Sequence, residues 1–136
     1  MQVYSDSLLK DIFQTSKTIA VVGLSARETQ PSYMVAHYLM KVGYKVVPVN
    51  PVLTEWQGMH CFASLKEIPY PIDIVDCFRA TQYIPALVDE CIQIGAKTIW
   101  MQLGIEEAES TLKAQSKGIV VLQNLCIKIE HNRVMN

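Results

Sequence analysis

Charge is scarce in this chain and evenly split. Twelve Lys and Arg residues stand against thirteen Asp and Glu, a formal net charge of −1 over 136 residues. The broad basic face that a nucleic-acid binder needs is therefore missing. Long apolar runs are missing too, since no stretch approaches the roughly 18 residues that span a bilayer. The N-terminal MQVYSDSLLKDIF carries Asp6, Lys10 and Asp11 where a signal peptide needs an unbroken apolar stretch. Cys61, Cys77, Cys91 and Cys126 are scattered, with no C-x-x-C and no His at zinc-ligand spacing. His37, His60 and His131 form no H-E-x-x-H pattern, so no metal site is expected. There is no G-x-S-x-G elbow and no pair of carboxylates flanking a loop end, and no catalytic residue is assigned. These absences point to a cytoplasmic protein whose partner is neither nucleic acid nor membrane.

What is present is apolar residue in abundance. Half the residues are hydrophobic, enough at this length for one core. A single domain over 1–136 is expected, with residues 1–16 forming an N-terminal helix packed against it. Five apolar runs of strand length, Thr18–Gly23, Tyr44–Val49, Ile72–Phe78, Thr98–Leu103 and Gly118–Gln123, are rich in Val and Ile and mostly lack strict alternation. That pattern suits strands covered on both faces. Pro48 lies inside the second run, where a proline implies that the strand ends or bulges.

Helical spacing fills the intervals. Helices are expected over Ser5–Thr15, Ser32–Val42, Gln82–Ile94 and Ile105–Ser116, with Gly43 and Gly95 closing the second and third. The link Asn50–Tyr70 holds one short helix around Ser64–Glu67 and otherwise reads as loop. Cys77 and Cys91 fall in apolar segments and are expected to be buried, reduced core residues. Strand–helix–strand alternation implies an α/β fold: a Rossmann-like, doubly wound, mainly parallel five-stranded sheet with helices on both faces.

In such a sheet a ligand sits beyond the carboxyl ends of the strands, near the point where strand order reverses. Those ends carry Gly23, Ser25, Ala26 and Arg27; Pro31 and Ser32 at the next helix start; Asn50 and Pro51; Phe78 and Arg79; and Gln102, Leu103 and Gly104. Gly23 ends an apolar strand just before a helix whose free N–H groups favour an anion. The same residues read equally as a tight turn at Gly23 with Ser32 as a helix cap. Arg79 is either a phosphate contact or a surface Arg that ends a strand. The first loop is neither G-x-G-x-x-G nor a Walker A loop, and Asn50 stands where an NAD protein places its ribose-binding acid. NAD is disfavoured on both counts. Cys126 and His131, in LCIKIEH, are a conceivable dyad for which structural roles are the stronger reading.

IAVVGLS, QPSYMVAHYL, GYKVVPVNP, PIDIVDCFR, IGAKTIWMQLG and CIKIEH, in that order, resemble the small stand-alone coenzyme A-binding proteins. These are similar to the N-terminal domain of the succinyl-coenzyme A synthetase alpha subunit. The likeness runs from about Lys17 to His131. It implies a Rossmann-like fold that binds coenzyme A or an acyl derivative across the strand ends. Gly23, Ser25, Ala26, Pro31 and Ser32 would then meet the phosphates, and Asn50-Pro51 would border the adenosine. Phe78-Arg79 and Gln102-Leu103-Gly104 would line the remaining wall. Val52 and Leu53 stand where such proteins often carry a polar residue, and Leu125 where they carry Arg. The resemblance implies binding rather than ligase activity. Two further classes stay open: an enzyme or redox protein working through Cys126 or a bound thioester, and a module that reports nucleotide or acyl-coenzyme A status to a protein partner.

Overall fold

A computed structural model of the chain describes residues 4–136. Five parallel strands form one sheet: β1 (Thr18–Val22), β2 (Lys45–Val49), β5 (Ile74–Cys77), β6 (Thr98–Met101) and β7 (Val120–Leu122). Their order across the sheet is β2-β1-β5-β6-β7. The chain thus moves one way from β1 to β2 and the other way from β5 onward. Helices on the two branches must cover opposite faces.

They do. α2 (Pro31–Lys41) joins β1 to β2 and shares one apolar layer with α1 (Asp6–Thr15) and α5 (Ile127–Met135). α3 (Ile84–Ile94) and α4 (Ala108–Ser116) pack on the other face. Every residue of β5 and β6 is buried, which accounts for the near-continuous apolar runs.

Most elements fall where the sequence placed them, with local chemistry moving the ends. Ser5 caps α1 by accepting from the Leu8 N–H. α4 begins at Ala108, because the Glu107 carboxylate caps it by accepting from the Ser110 N–H. A 3-10 turn at Thr81–Tyr83 leads directly into α3. Pro48 neither ends nor bulges its strand. Lys45 N–H and Val49 C=O bond towards β1, so alternate positions face the open edge, and Pro48 is one of them. Its missing N–H therefore costs no ladder bond, and its carbonyl accepts from Phe62 N–H on that edge.

One hairpin and one helix were not anticipated. Residues Glu55–Trp56 (β3) and Met59–His60 (β4) form a small antiparallel hairpin inside the expected loop. The CIKIEH motif opens α5, in which Ile127, His131 and Val134 are buried at i, i+4, i+7 spacing. Asp73 ties the start of β1 to β5: its Oδ2 accepts from the Lys17 and Thr18 N–H groups at 2.8 and 3.0 Å. Burial pushes its carboxyl up, but those two bonds and Lys97 outweigh this and hold it below the usual range.

The tightest constraint is at the strand-order reversal. Gly23 has φ +85°, and a Cβ built there would lie 2.6 Å from the Phe78 carbonyl oxygen. Only glycine lets the ends of β1 and β5 come this close. Gly23→Ala should therefore lower stability by about 2 kcal/mol or more, from the left-handed backbone and the main-chain clash together. Urea denaturation measures it, and a variant as stable as the parent contradicts this assignment.

Candidate functional site

The loop after β1 is built from its own polar groups. Ser32 is buried in the first turn of α2, where its Oγ accepts from the Ser25 N–H at 3.0 Å. The Ser25 hydroxyl in turn accepts from Arg27 N–H. Ser32 is therefore not the helix cap. Gln30 occupies that position without a side-chain bond, and Pro31 follows as the first helical residue. Trp56, on the unanticipated hairpin, donates its indole N–H to the Ser25 carbonyl at 2.9 Å. Asn50 is committed at both ends, donating to Leu24 C=O and accepting from Val52 N–H.

Two depressions open beyond the strand ends, one on each face of the sheet. The larger, about 370 Å³, lies between the starts of α2 and α5 and is lined by Pro31, Val35, Phe78, Arg79, Gln102, Leu103 and Cys126, among others. The smaller, about 190 Å³, lies by the ends of β1 and β2 and the start of α3. Its lining includes Val22, Val49, Pro51, Ser64, Tyr83 and Glu90. Arg79 lines both, and among the described residues it is the only cation that does. Its guanidinium carbon stands 4.5 Å from the Tyr83 ring centre, a cation–π contact that steadies it at the junction.

Anion-favouring backbone meets this junction from two sides. Neither α2 at Gln30 nor α5 at Cys126 has a side-chain cap, and Pro31 and Cys126 both line the larger cleft. Uncapped helix starts leave N–H groups and the positive dipole end to a ligand.

The structure brings Pro31, Phe78, Arg79, Gln102 and Leu103 together in one cleft and sets Pro51 in its neighbour. Gly23 lies directly beneath Phe78 and Arg79. Ser25, Ser32 and Asn50 stand behind, holding the loop. Ala26 and Arg27 are exposed and line neither depression. Gly104 sits in the turn after β6, its N–H bonded to the Asn124 side chain. The sequence reading missed Val35, Ala80 and Ile105 in the cleft, and Ser64, Tyr83 and Glu90 in the smaller pocket. Val35, Ser64, Tyr83 and Glu90 come from helical turns and a long link, away from the strand ends, whereas Ala80 and Ile105 lie one residue beyond the strand-end residues Arg79 and Gly104.

Cys126 borders the cleft, but His131 does not pair with it. The His131 Nδ1 is 2.7 Å from the Tyr38 hydroxyl, and its ring packs edge-on against Phe13 and Tyr44. Burial lowers its pKa, as suits a core imidazole. Cys77 and Cys91 are buried and free, with burial pushing the Cys91 thiol up to about 12.

Beneath the cleft lies Asp76, which is wholly buried. Its Oδ1 accepts from Gln102 Nε2, and its Oδ2 has no partner. Burial pushes its carboxyl up to about 8, against the pull of the Gln102 bond. An unfolded Asp ionises near pH 3.9. The folded protein therefore holds a proton that the unfolded chain releases, and stability declines as pH rises from about 4 to about 8. Asp76→Asn should flatten that decline and raise stability at pH 8 by a few kcal/mol, leaving it little changed at pH 4. Urea denaturation at several pH values checks it; parallel profiles for the two proteins would refute it.

Comparison with known proteins extends the geometry. The profile of the CoA binding domain family matches residues 17–132. An uncharacterised protein of Bacillus subtilis, YneT, is 41% identical over 131 residues, covering 96% of this chain and 97% of that protein. The ADP-forming acetate–CoA ligase II of Archaeoglobus fulgidus is 30% identical over 91 residues, which are 65% of this chain and 13% of the ligase. This chain thus corresponds to a small part of that enzyme. A hypothetical protein of Pyrococcus horikoshii superposes with a TM-score of 0.95 at 33% identity, covering 98% of this chain and 94% of the other.

Proposed function

Because the chain belongs to the CoA binding domain family, we propose that it binds coenzyme A, free or acylated, across the carboxyl ends of β1, β2, β5 and β6, and that it does so as a binding protein with no catalysis of its own. One observation carries this reading: Arg79 stands where two depressions of unequal size meet, at the strand-order reversal. Coenzyme A has a matching layout, with a flat adenosine end, a pyrophosphate in the middle and a long, largely neutral arm. The adenosine goes to the smaller pocket beside Pro51. The pyrophosphate lies at Arg79 and the open start of α2. The arm runs into the larger cleft, whose lining is mostly apolar.

Neither end of the site suits NAD. Asn50 has its carboxamide spent on Leu24 and Val52 and offers no acid to a ribose diol. The first loop spends the Ser25 and Arg27 N–H groups on serine oxygens rather than leaving a glycine-rich cradle.

Calorimetry with coenzyme A and with NAD tests the reading, and coenzyme A should bind the tighter. NAD binding the tighter overturns it. Arg79→Ala should weaken coenzyme A by about 10- to 150-fold, the value of a charge-assisted bond of about 1.5–3 kcal/mol. The loss should shrink with added salt, because an accessible pair is screened. Arg79→Lys should recover only part of the affinity, since an ammonium cannot make the two-pronged contact. Unchanged affinity in a folded Arg79→Ala protein removes Arg79 from the site.

A further inference from the structure

Asp76 is the one Asp, Glu, Lys or Arg that is fully buried among the described residues. On β5 it alternates with Val75 and Cys77, so it shares the α2/α5 side of the sheet with Ile74 and Trp100. It takes part in no ion pair among the described residues. Its single bond is to Gln102, and its second oxygen is unpartnered. Burying a carboxyl with half its capacity unmet works against folding, and an apolar residue of similar size would pack there without that cost. Nothing in the core repays it.

Gln102 faces the other way as well. It follows β6, lines the larger cleft and is buried apart from what it shows to that cleft. Its Nε2 donates to Asp76, while no protein group donates to its Oε1 among the described residues, and that oxygen is not among the buried unpartnered atoms. The neighbouring side chains are Pro31, Val35, Phe78, Leu103 and Ile105, with Arg79 as a donor and Cys126 as a weak acceptor at best. Among the described residues, a strong side-chain acceptor in this cleft therefore comes from Gln102 alone.

We infer that Asp76 is a positioning residue: it holds the Gln102 carboxamide by its nitrogen, so that Oε1 is presented as an acceptor to the larger cleft and selects a ligand arm carrying amide N–H groups. The inference rests on the coenzyme A reading and deepens it, since the pantetheine arm of coenzyme A carries two such amides. Lined by apolar side chains, the cleft rejects an arm whose polar groups it leaves unpaired, and a fixed acceptor turns that into selectivity. Burial also keeps the Asp76 proton in place through neutral pH, so the pair adds no negative charge beside a polyanionic ligand.

Calorimetry with coenzyme A and with adenosine 3′,5′-bisphosphate, which shares the nucleotide end and lacks the amide arm, separates the alternatives. Asp76→Leu frees the carboxamide, and Gln102→Leu removes it. Each should weaken coenzyme A about 5- to 10-fold, the value of one hydrogen bond, and leave the bisphosphate within about twofold of the parent. Asp76→Asn, which still offers an oxygen to Nε2, should retain coenzyme A affinity within about twofold. A purely structural role for Asp76 would lower both ligands together, and that result overturns the inference, as does unchanged coenzyme A affinity in folded Asp76→Leu or Gln102→Leu. An unmodified protein that binds no coenzyme A overturns the underlying reading and this inference with it.

Discussion

The contact on which the rest of the molecule depends is the approach of Gly23 to the carbonyl of Phe78. It joins the ends of β1 and β5, the two strands between which the chain changes direction across the sheet. Because the branches diverge there, α2 and α3 lie on opposite faces, and a crevice is left that neither helix fills. A side chain at position 23 would push the strands apart and carry Arg79 away from the α2 start. Fold and site are one constraint at this point.

Around that contact the polar groups divide into those spent on structure and those left available. Ser25, Ser32, Asn50 and the Trp56 indole hold the first loop and the turn after β2 in place. Among the described residues Arg79 makes only a ring contact with Tyr83, and the starts of α2 and α5 at the larger cleft lack side-chain caps. A site with its loops fixed internally and its charge left free is organised before a ligand arrives, which reduces the ordering cost of binding. Asp76 carries the opposite sign of this trade. A buried carboxyl lowers stability, and it does so directly behind the one glutamine that lines the cleft. Departures from an all-apolar core of this kind concentrate at functional sites.

The two exposed apolar residues at the site edges, Leu103 beside the larger cleft and Tyr83 beside the smaller, are 61% and 47% exposed. Both sit on segments that follow a strand, Leu103 after β6 and Tyr83 before α3. They widen the apolar wall on either side of Arg79. Among the described residues no helix is long and apolar enough to cross a membrane, and these side chains are read as part of the crevice.

Much of this was legible in the amino-acid order. Strand runs of Val and Ile, glycines after helices and the period of the helices are local properties, and they placed the five parallel strands and four of the five α-helices within a few residues. The rule that ligands gather at strand ends then named Pro31, Phe78, Arg79, Gln102 and Leu103, all of which line one cleft. What stayed hidden depends on contacts between distant parts of the chain. Pro48 looked like a strand breaker because the sequence does not say which strand lies at the edge, where a missing N–H costs nothing. The hairpin that carries Trp56 has strands of two residues, too short for periodicity to register, and is held by tertiary bonds such as that to the Ser25 carbonyl. Asp76 lies in an apolar run, and only the packing of β1, β6 and the helices above shows that no cation among the described residues reaches it. Sequence determined the five parallel strands, their ends and four of the helices, because hydrophobic period and turn chemistry act over a few residues. Tertiary structure alone decided which polar groups are spent, which are free and which buried carboxyl stands behind the site, because each of those is settled by neighbours far away along the chain.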